Sequence, residues 1–193
     1  FDPLKIRLRA TSQDKAIYDV GDLKQPCHPF LNNVSVMFGF MDGCLPMSRW
    51  DALNLFFRKT GAVIAFRLNA LNGRKEVSKG VLGGPCDLTN AYDFIQHTVD
   101  HGYQINAWEQ GVDKHLVEKI LDPSYLSREK SMFKGLKTIL ENFGLCSRAW
   151  VGEAGGAYNS GHNLVANAFV FSFWNEKFQG PAFFNIRHGE KQK

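Results

Sequence analysis

The 193-residue sequence has no apolar run of the ~18 residues that a membrane-crossing helix needs. Its longest apolar patch, 166–174, is interrupted by Asn167 and Ser172, so no transmembrane segment is expected. Cysteine is scarce. Cys27, Cys44, Cys86 and Cys146 include no Cys-x-x-Cys pair, which argues against a structural zinc cluster. His28, His97, His101, His115, His162 and His188 give no metal-binding motif. His97 and His101 stand one helical turn apart, but the residues between them do not form a zincin sequence. No metal and no cofactor are therefore expected. Charge of one sign is also limited, with 23 Lys and Arg against 19 Asp and Glu for a net +4. Without a stripe of basic and aromatic residues this excludes a nucleic-acid partner, while a polyanionic sugar fits the weak excess. Internal repeats and low-complexity stretches are missing too. No secretory leader is visible, but the chain opens at Phe1 rather than Met. It therefore reads as a processed or trimmed product, for which a missing leader decides nothing.

What is present is the material of a folded core: 44% hydrophobic and 22% charged residues. The aromatic share, 13% with 16 Phe, fills interiors or stacks against flat ligands such as sugar rings. Asn33-Val34-Ser35 is an N-glycosylation sequon and leans toward secretion. Cys27 and Cys44 flank a turn-rich loop and are compatible with a disulfide.

Strands alternate with helices along the chain. Residues 4–10 read as a strand, and 21–46 as a loop heavy in Gly, Pro, Asn and Asp. A helix capped by Ser48 runs to Lys59, with Trp50, Leu53, Phe56 and Phe57 on one face, and Gly61 stops it. The apolar run 62–70 suits a strand buried on both faces of a parallel sheet. A loop spans 72–87. Thr89 opens a helix ending before Gly102, and 103–109 is another strand. Residues 112–121 are helical until Pro123 breaks them, 124–143 form a longer helix, and 148–153 a short strand. A Gly-rich turn and an apolar helical segment at 164–173 follow. This alternation predicts an α/β fold with a parallel sheet. The first strand ends without Gly-x-Gly, unlike a dinucleotide-binding sheet. Asn69, Glu109 and Glu153 stand at strand C-terminal ends, where (β/α)8 barrels carry their chemistry. Barrel-type topology is expected, with about half of the strand–helix units present.

The sharpest motif is Trp150-Val151-Gly152-Glu153-Ala154-Gly155-Gly156-Ala157-Tyr158. A carboxylate at a strand end, followed by small residues and flanked by aromatics, suits the nucleophile of a retaining glycosidase. Its alternative is a Glu capping the Gly-rich turn. Residues 149–173 resemble the nucleophile region of the heparanase-like β-glucuronidases of glycoside hydrolase family 79, especially the plant type. So do Leu23-Lys24-Gln25-Pro26-Cys27-His28-Pro29-Phe30, Gly43-Cys44-Leu45-Pro46-Met47-Ser48-Arg49-Trp50 and Leu68-Asn69-Ala70-Leu71-Asn72-Gly73-Arg74. The resemblance runs over 1–174, leaving 175–193 as a divergent basic tail. It implies a retaining hydrolase of β-linked glucuronic acid, built on a (β/α)8 barrel with a β-sandwich. Glu153 matches the nucleophile. Tyr158, Asn159, Ser160 and Gly161 match the loop against the uronic acid. Thr11 falls at a sugar-contacting position after an early strand, and Asn69 at another strand end. A secretory, extracellular, cell-wall or vacuolar/lysosomal location is implied, possibly membrane-associated.

The chain also departs from that family. The acid/base motif Trp-Glu-Leu-Gly-Asn-Glu reads here Trp108-Glu109-Gln110-Gly111-Val112-Asp113. Glu109 matches the first Glu, and Asp113 stands at the acid/base position, one methylene shorter. A helix N-cap is the alternative role for Asp113. Residues 112–121 resemble a segment found much later in relatives, so several strand–helix units are missing after Gln110. By the resemblance, the opening barrel strand and the C-terminal β-sandwich are expected to be missing as well. Relatives have Gly-Gly where this chain has Arg9-Ala10. The resemblance thus implies either a glycosidase working through Glu153, or a catalytically inactive truncated relative that binds an acidic sugar weakly. An incomplete sheet is expected to expose apolar inner-face side chains and to self-associate through its open edges.

Overall fold

The computed structural model describes residues 3–8, 11–23, 26–31, 43–78, 81–110 and 123–151. Its elements in chain order are β1 (Lys5–Leu8), a 3-10 helix (Thr11–Lys15), β2 (Ala16–Tyr18), β3 (Gly43–Leu45) and α1 (Met47–Thr60). There follow β4 (Val63–Arg67), β5 (Lys75–Ser78), β6 (Val81–Gly83), α2 (Thr89–Asp100), β7 (Ala107–Gln110), α3 (Pro123–Asn142) and β8 (Arg148–Val151). The helices expected at 112–121 and 164–173 lie outside the described residues.

The main sheet has four strands in the order β1-β4-β7-β8, and every neighbouring pair is parallel. The fold is mixed α/β with a parallel sheet, as the alternation of elements implied. The spatial order repeats the chain order, so the sheet grows in one direction, without the reversal that marks a doubly wound sheet.

Alternation along these strands separates two faces. Phe66 pairs in register with Leu8 and Trp108, and this row faces the helices. There Phe94 of α2 stacks on Tyr18 with ring centroids 4.0 Å apart. It also meets Trp50 of α1 at 4.8 Å, Phe66 at 5.5 Å and Trp108 at 5.9 Å. Leu136, Ile139 and Leu140 of α3 complete the same core. The Trp50 indole N–H donates to Thr98 Oγ1 (3.0 Å), so this large ring is buried with its polar atom satisfied.

The other face carries Arg7, Ala65, Arg67, Ala107 and Glu109. At these positions the expected exposed apolar side chains are not found. Ala65, Arg67, Ala107 and Glu109 are all buried, and none of the four is a bulky apolar side chain.

Other details differ from the sequence reading. The loop expected at 21–46 contains β3, which pairs in parallel with β2. The loop at 72–87 contains the antiparallel pair β5–β6. Strands of three or four residues leave little periodicity to read. α3 begins at Pro123, one residue earlier than expected, since the first helical turn tolerates a missing N–H. α1 begins at Met47 with Pro46 as its N-cap residue and no side-chain cap, so Ser48 lies within the helix. Phe56 is 51% exposed, and Asn54 is buried in its place, donating from Nδ2 to the Trp50 carbonyl (2.9 Å). Gly61 does end α1, at φ 62° in the left-handed region.

Candidate active site

The C-terminal ends of the parallel strands gather the charged residues. Arg67 closes β4 and Glu109 is its in-register partner on β7. Arg7 of β1 donates from Nε to Glu109 Oε2 (2.5 Å). Arg67 Nε lies 3.0 Å from Asp14 Oδ1, in the 3-10 helix, and 4.0 Å from Glu109 Oε1. Two cations and two anions thus alternate across three strands and one short helix. Glu109 is 0% exposed, and the Arg67 and Asp14 side chains are 5% and 4% exposed. Burying such charges is costly unless each meets an opposite charge at close range, as these do.

Asn69 stands two residues beyond β4, and its polar atoms are all engaged. Its Oδ1 accepts the N–H groups of Leu71 (2.7 Å) and Asn72 (3.0 Å). Its Nδ2 donates to the Ala16 carbonyl (2.8 Å), and its backbone N–H donates to the Tyr18 hydroxyl (3.1 Å). The geometry is that of an Asx turn tied to β2. Burial raises the Tyr18 phenol well above its ordinary value. Thr11 opens the 3-10 helix after β1.

Glu153, Asp113, Tyr158, Asn159, Ser160, Gly161 and Asn33 lie outside the described residues, as does the tail 175–193. The strands that lead to the two carboxylate positions are described. β8 ends at Val151, two residues before Glu153, and β7 ends at Gln110, three before Asp113. Gln110 and Val151 are themselves in register, so the two neighbouring strands finish at the same end of the sheet. Arg7, Asp14 and Arg67 were not read as site residues. The available signal was a charged residue ending a strand otherwise apolar, Val-Ile-Ala-Phe-Arg.

Cys27 and Cys44 form a disulfide that ties the turn-rich segment 26–31 to β3, while Cys86 and Cys146 are free thiols. Asp19 lies close to the bridged pair, but bridged sulfurs are poor metal ligands. Among the described residues no helix is long and apolar enough to cross a membrane.

Comparison with known proteins bears on what this sheet end does. The chain is 39% identical to heparanase-like protein 3 of Arabidopsis thaliana, over 251 residues spanning 90% of this chain and 47% of that protein. It is 34% identical to heparanase-like protein 1 of the same plant over 253 residues, with the same coverage of each. It is 26% identical to baicalin-β-D-glucuronidase of Scutellaria baicalensis over 265 residues, 90% of this chain and 50% of that protein. The chain therefore spans about half the length of the curated relatives it matches. These alignments run over 251 to 265 residues although only nine-tenths of 193 take part, so the relatives hold a long stretch that this chain lacks. The sequence profile of glycosyl hydrolase family 79, N-terminal domain, matches in two pieces, residues 1–112 and 110–178. The break falls directly after β7. With both pieces together covering nearly all of the sequence, the chain belongs to glycosyl hydrolase family 79.

Proposed function

We propose that this chain is a heparanase-like retaining glycoside hydrolase directed at β-linked glucuronic acid, with Glu153 as its nucleophile. The observation that carries the reading is that β8, paired in parallel with β7 in a family 79 chain, ends at Val151, two residues before Glu153. The finer fold proposed is part of a (β/α)8 barrel, in which that end holds the chemistry. Residues 1–174 form the glycosidase unit and 175–193 a basic tail.

In the proposed reaction Glu153 attacks the anomeric carbon while an acid protonates the leaving oxygen. Water then hydrolyses the glycosyl–enzyme ester with the same group acting as base. Asp113 takes the acid/base position. Its support is the register of Gln110 with Val151, which sets the ends of the two strands preceding these carboxylates next to each other. Tyr158, Asn159, Ser160 and Gly161 are assigned to the uronate, with Thr11 and Asn69 as further sugar contacts. The Asn69 side chain is already committed to Ala16, Leu71 and Asn72, so its proposed contribution is to hold the loop after β4. The disulfide supports an oxidising compartment, in keeping with the secretory pathway and with glycosylation at Asn33.

The stretch missing after β7 supports a second reading, a catalytically inactive relative that binds an acidic sugar weakly. Intact-mass labelling with a 2-fluoro-glucuronyl fluoride separates the two, because its leaving group needs little acid assistance. The expected outcome is a stable adduct on the chain that is lost in Glu153→Gln. Folded protein that forms no adduct would establish the inactive reading.

A further inference from the structure

A concavity lies at the end of the sheet opposite Glu109, with a volume of about 350 Å³. Val63, the first residue of β4, and Asn106, just before β7, line it. Gly61 and Gly102, left-handed at φ 62° and 65°, follow the last turns of α1 and α2 and also line it. The C-terminal end of α1 and the turn that follows α2 therefore both border it, and helix C-terminal ends carry partial negative charge. That field disfavours an anion. Arg58, also in the lining, disfavours a cation. An uncharged molecule rich in hydroxyl groups suits both.

The remaining lining fits that chemistry. Asn54, Gln104 and Asn106 present amides, which donate and accept as hydroxyls require. Two of them are held in fixed orientation. Asn106 Oδ1 accepts the Ile64 N–H (2.8 Å), and Asn54 Nδ2 donates to the Trp50 carbonyl (2.9 Å). The opposite atom of each amide is left for a ligand. Tyr103 supplies a flat apolar surface. Its hydroxyl donates to Asp51 Oδ1 (3.0 Å), and its ring lies 5.5 Å from that of His101 at 30°, so it is positioned before any ligand arrives. A fixed aromatic ring beside oriented amides suits the mixed apolar and hydroxyl surface of a sugar ring.

We propose that this cavity binds an uncharged sugar or polyol, at a place remote from the strand ends that lead to Glu153. The proposal does not depend on catalysis. Its test is a titration of the uniformly ¹⁵N-labelled full chain with glucose, using glucuronate and glucosamine as charged counterparts. Glucose is expected to shift the amide signals of Gly61, Gly102, Gln104 and Asn106, with affinity in the millimolar range. Gln104→Ala removes an exposed side chain and leaves the fold intact, and it is expected to weaken binding about tenfold. Glu153→Gln is expected to bind glucose undiminished. Unmoved signals, equal or tighter binding of either charged sugar, undiminished binding by Gln104→Ala, or loss of binding in Glu153→Gln would each overturn the proposal.

Discussion

Arg67 ends a strand whose other members, Val63, Ile64, Ala65 and Phe66, are all apolar. It is retained there by two carboxylates, Asp14 at 3.0 Å and Glu109 at 4.0 Å. Removing one partner from a buried ion group leaves the others uncompensated, which costs about 3–5 kcal/mol. Arg67→Met is therefore expected to lower unfolding free energy by that order in urea denaturation, and adding Asp14→Leu is expected to restore part of the loss. A second residue-scale prediction concerns alkali. Burial holds the Tyr18 phenol above the ordinary value of 10.0 in the folded chain, whereas the unfolded chain ionises at that ordinary value. The folded state binds the proton more tightly, so Tyr18 contributes full stability below pH 10 and loses it as pH rises beyond. Tyr18→Phe is expected to flatten the alkaline decline in thermal stability. At neutral pH it is expected to cost about 1 kcal/mol, because the Asn69 N–H loses its acceptor. Neither residue announced itself as part of a site. Arg67 and Glu109 are far apart in sequence, and only strand register puts them together.

At the scale of elements, α1, α2 and β4 were legible because each is long enough to show its period and is closed by Gly61, Gly102 or a turn. Phe56 shows the limit of that reading. It sits beside Phe57 with the same chemistry, yet Phe57 is buried and Phe56 exposed, because the sheet meets only one side of the helix. The pair β2–β3 was not legible. Each strand has three residues, and what holds them is outside their own pattern: register with each other, the Asn90 side chain on Tyr18, and the Cys27–Cys44 bond. That bond constrains a loop of 17 residues, and its loss is expected to cost about 3 kcal/mol. Replacing both cysteines with Ser is expected to lower the thermal midpoint, and calorimetry of the variant against the unreduced parent measures it. An unchanged midpoint would mean that β2–β3 pairing holds this layer without the covalent tie.

At the scale of the molecule, a parallel sheet that grows in one direction has two terminal strands, β1 and β8 among those described. Terminal strands carry backbone groups ready to pair with another chain. We expect self-association through them, read as a dimer or larger species by analytical ultracentrifugation at micromolar concentration. A single monomeric species would remove that expectation. The residues themselves determined the α/β class, the family and the identity of Glu153 as the candidate nucleophile. Helix and strand periods are local properties, and a catalytic motif is a contiguous string. Tertiary structure alone decided the order of the sheet, the burial of the Arg7–Glu109–Arg67–Asp14 group, and the adjacency of β7 and β8 across the stretch that relatives have and this chain lacks. Those features depend on which distant segments pair, and pairing is set by packing against the shared core of Tyr18, Trp50, Phe66, Phe94 and Trp108, not by any one segment's own sequence.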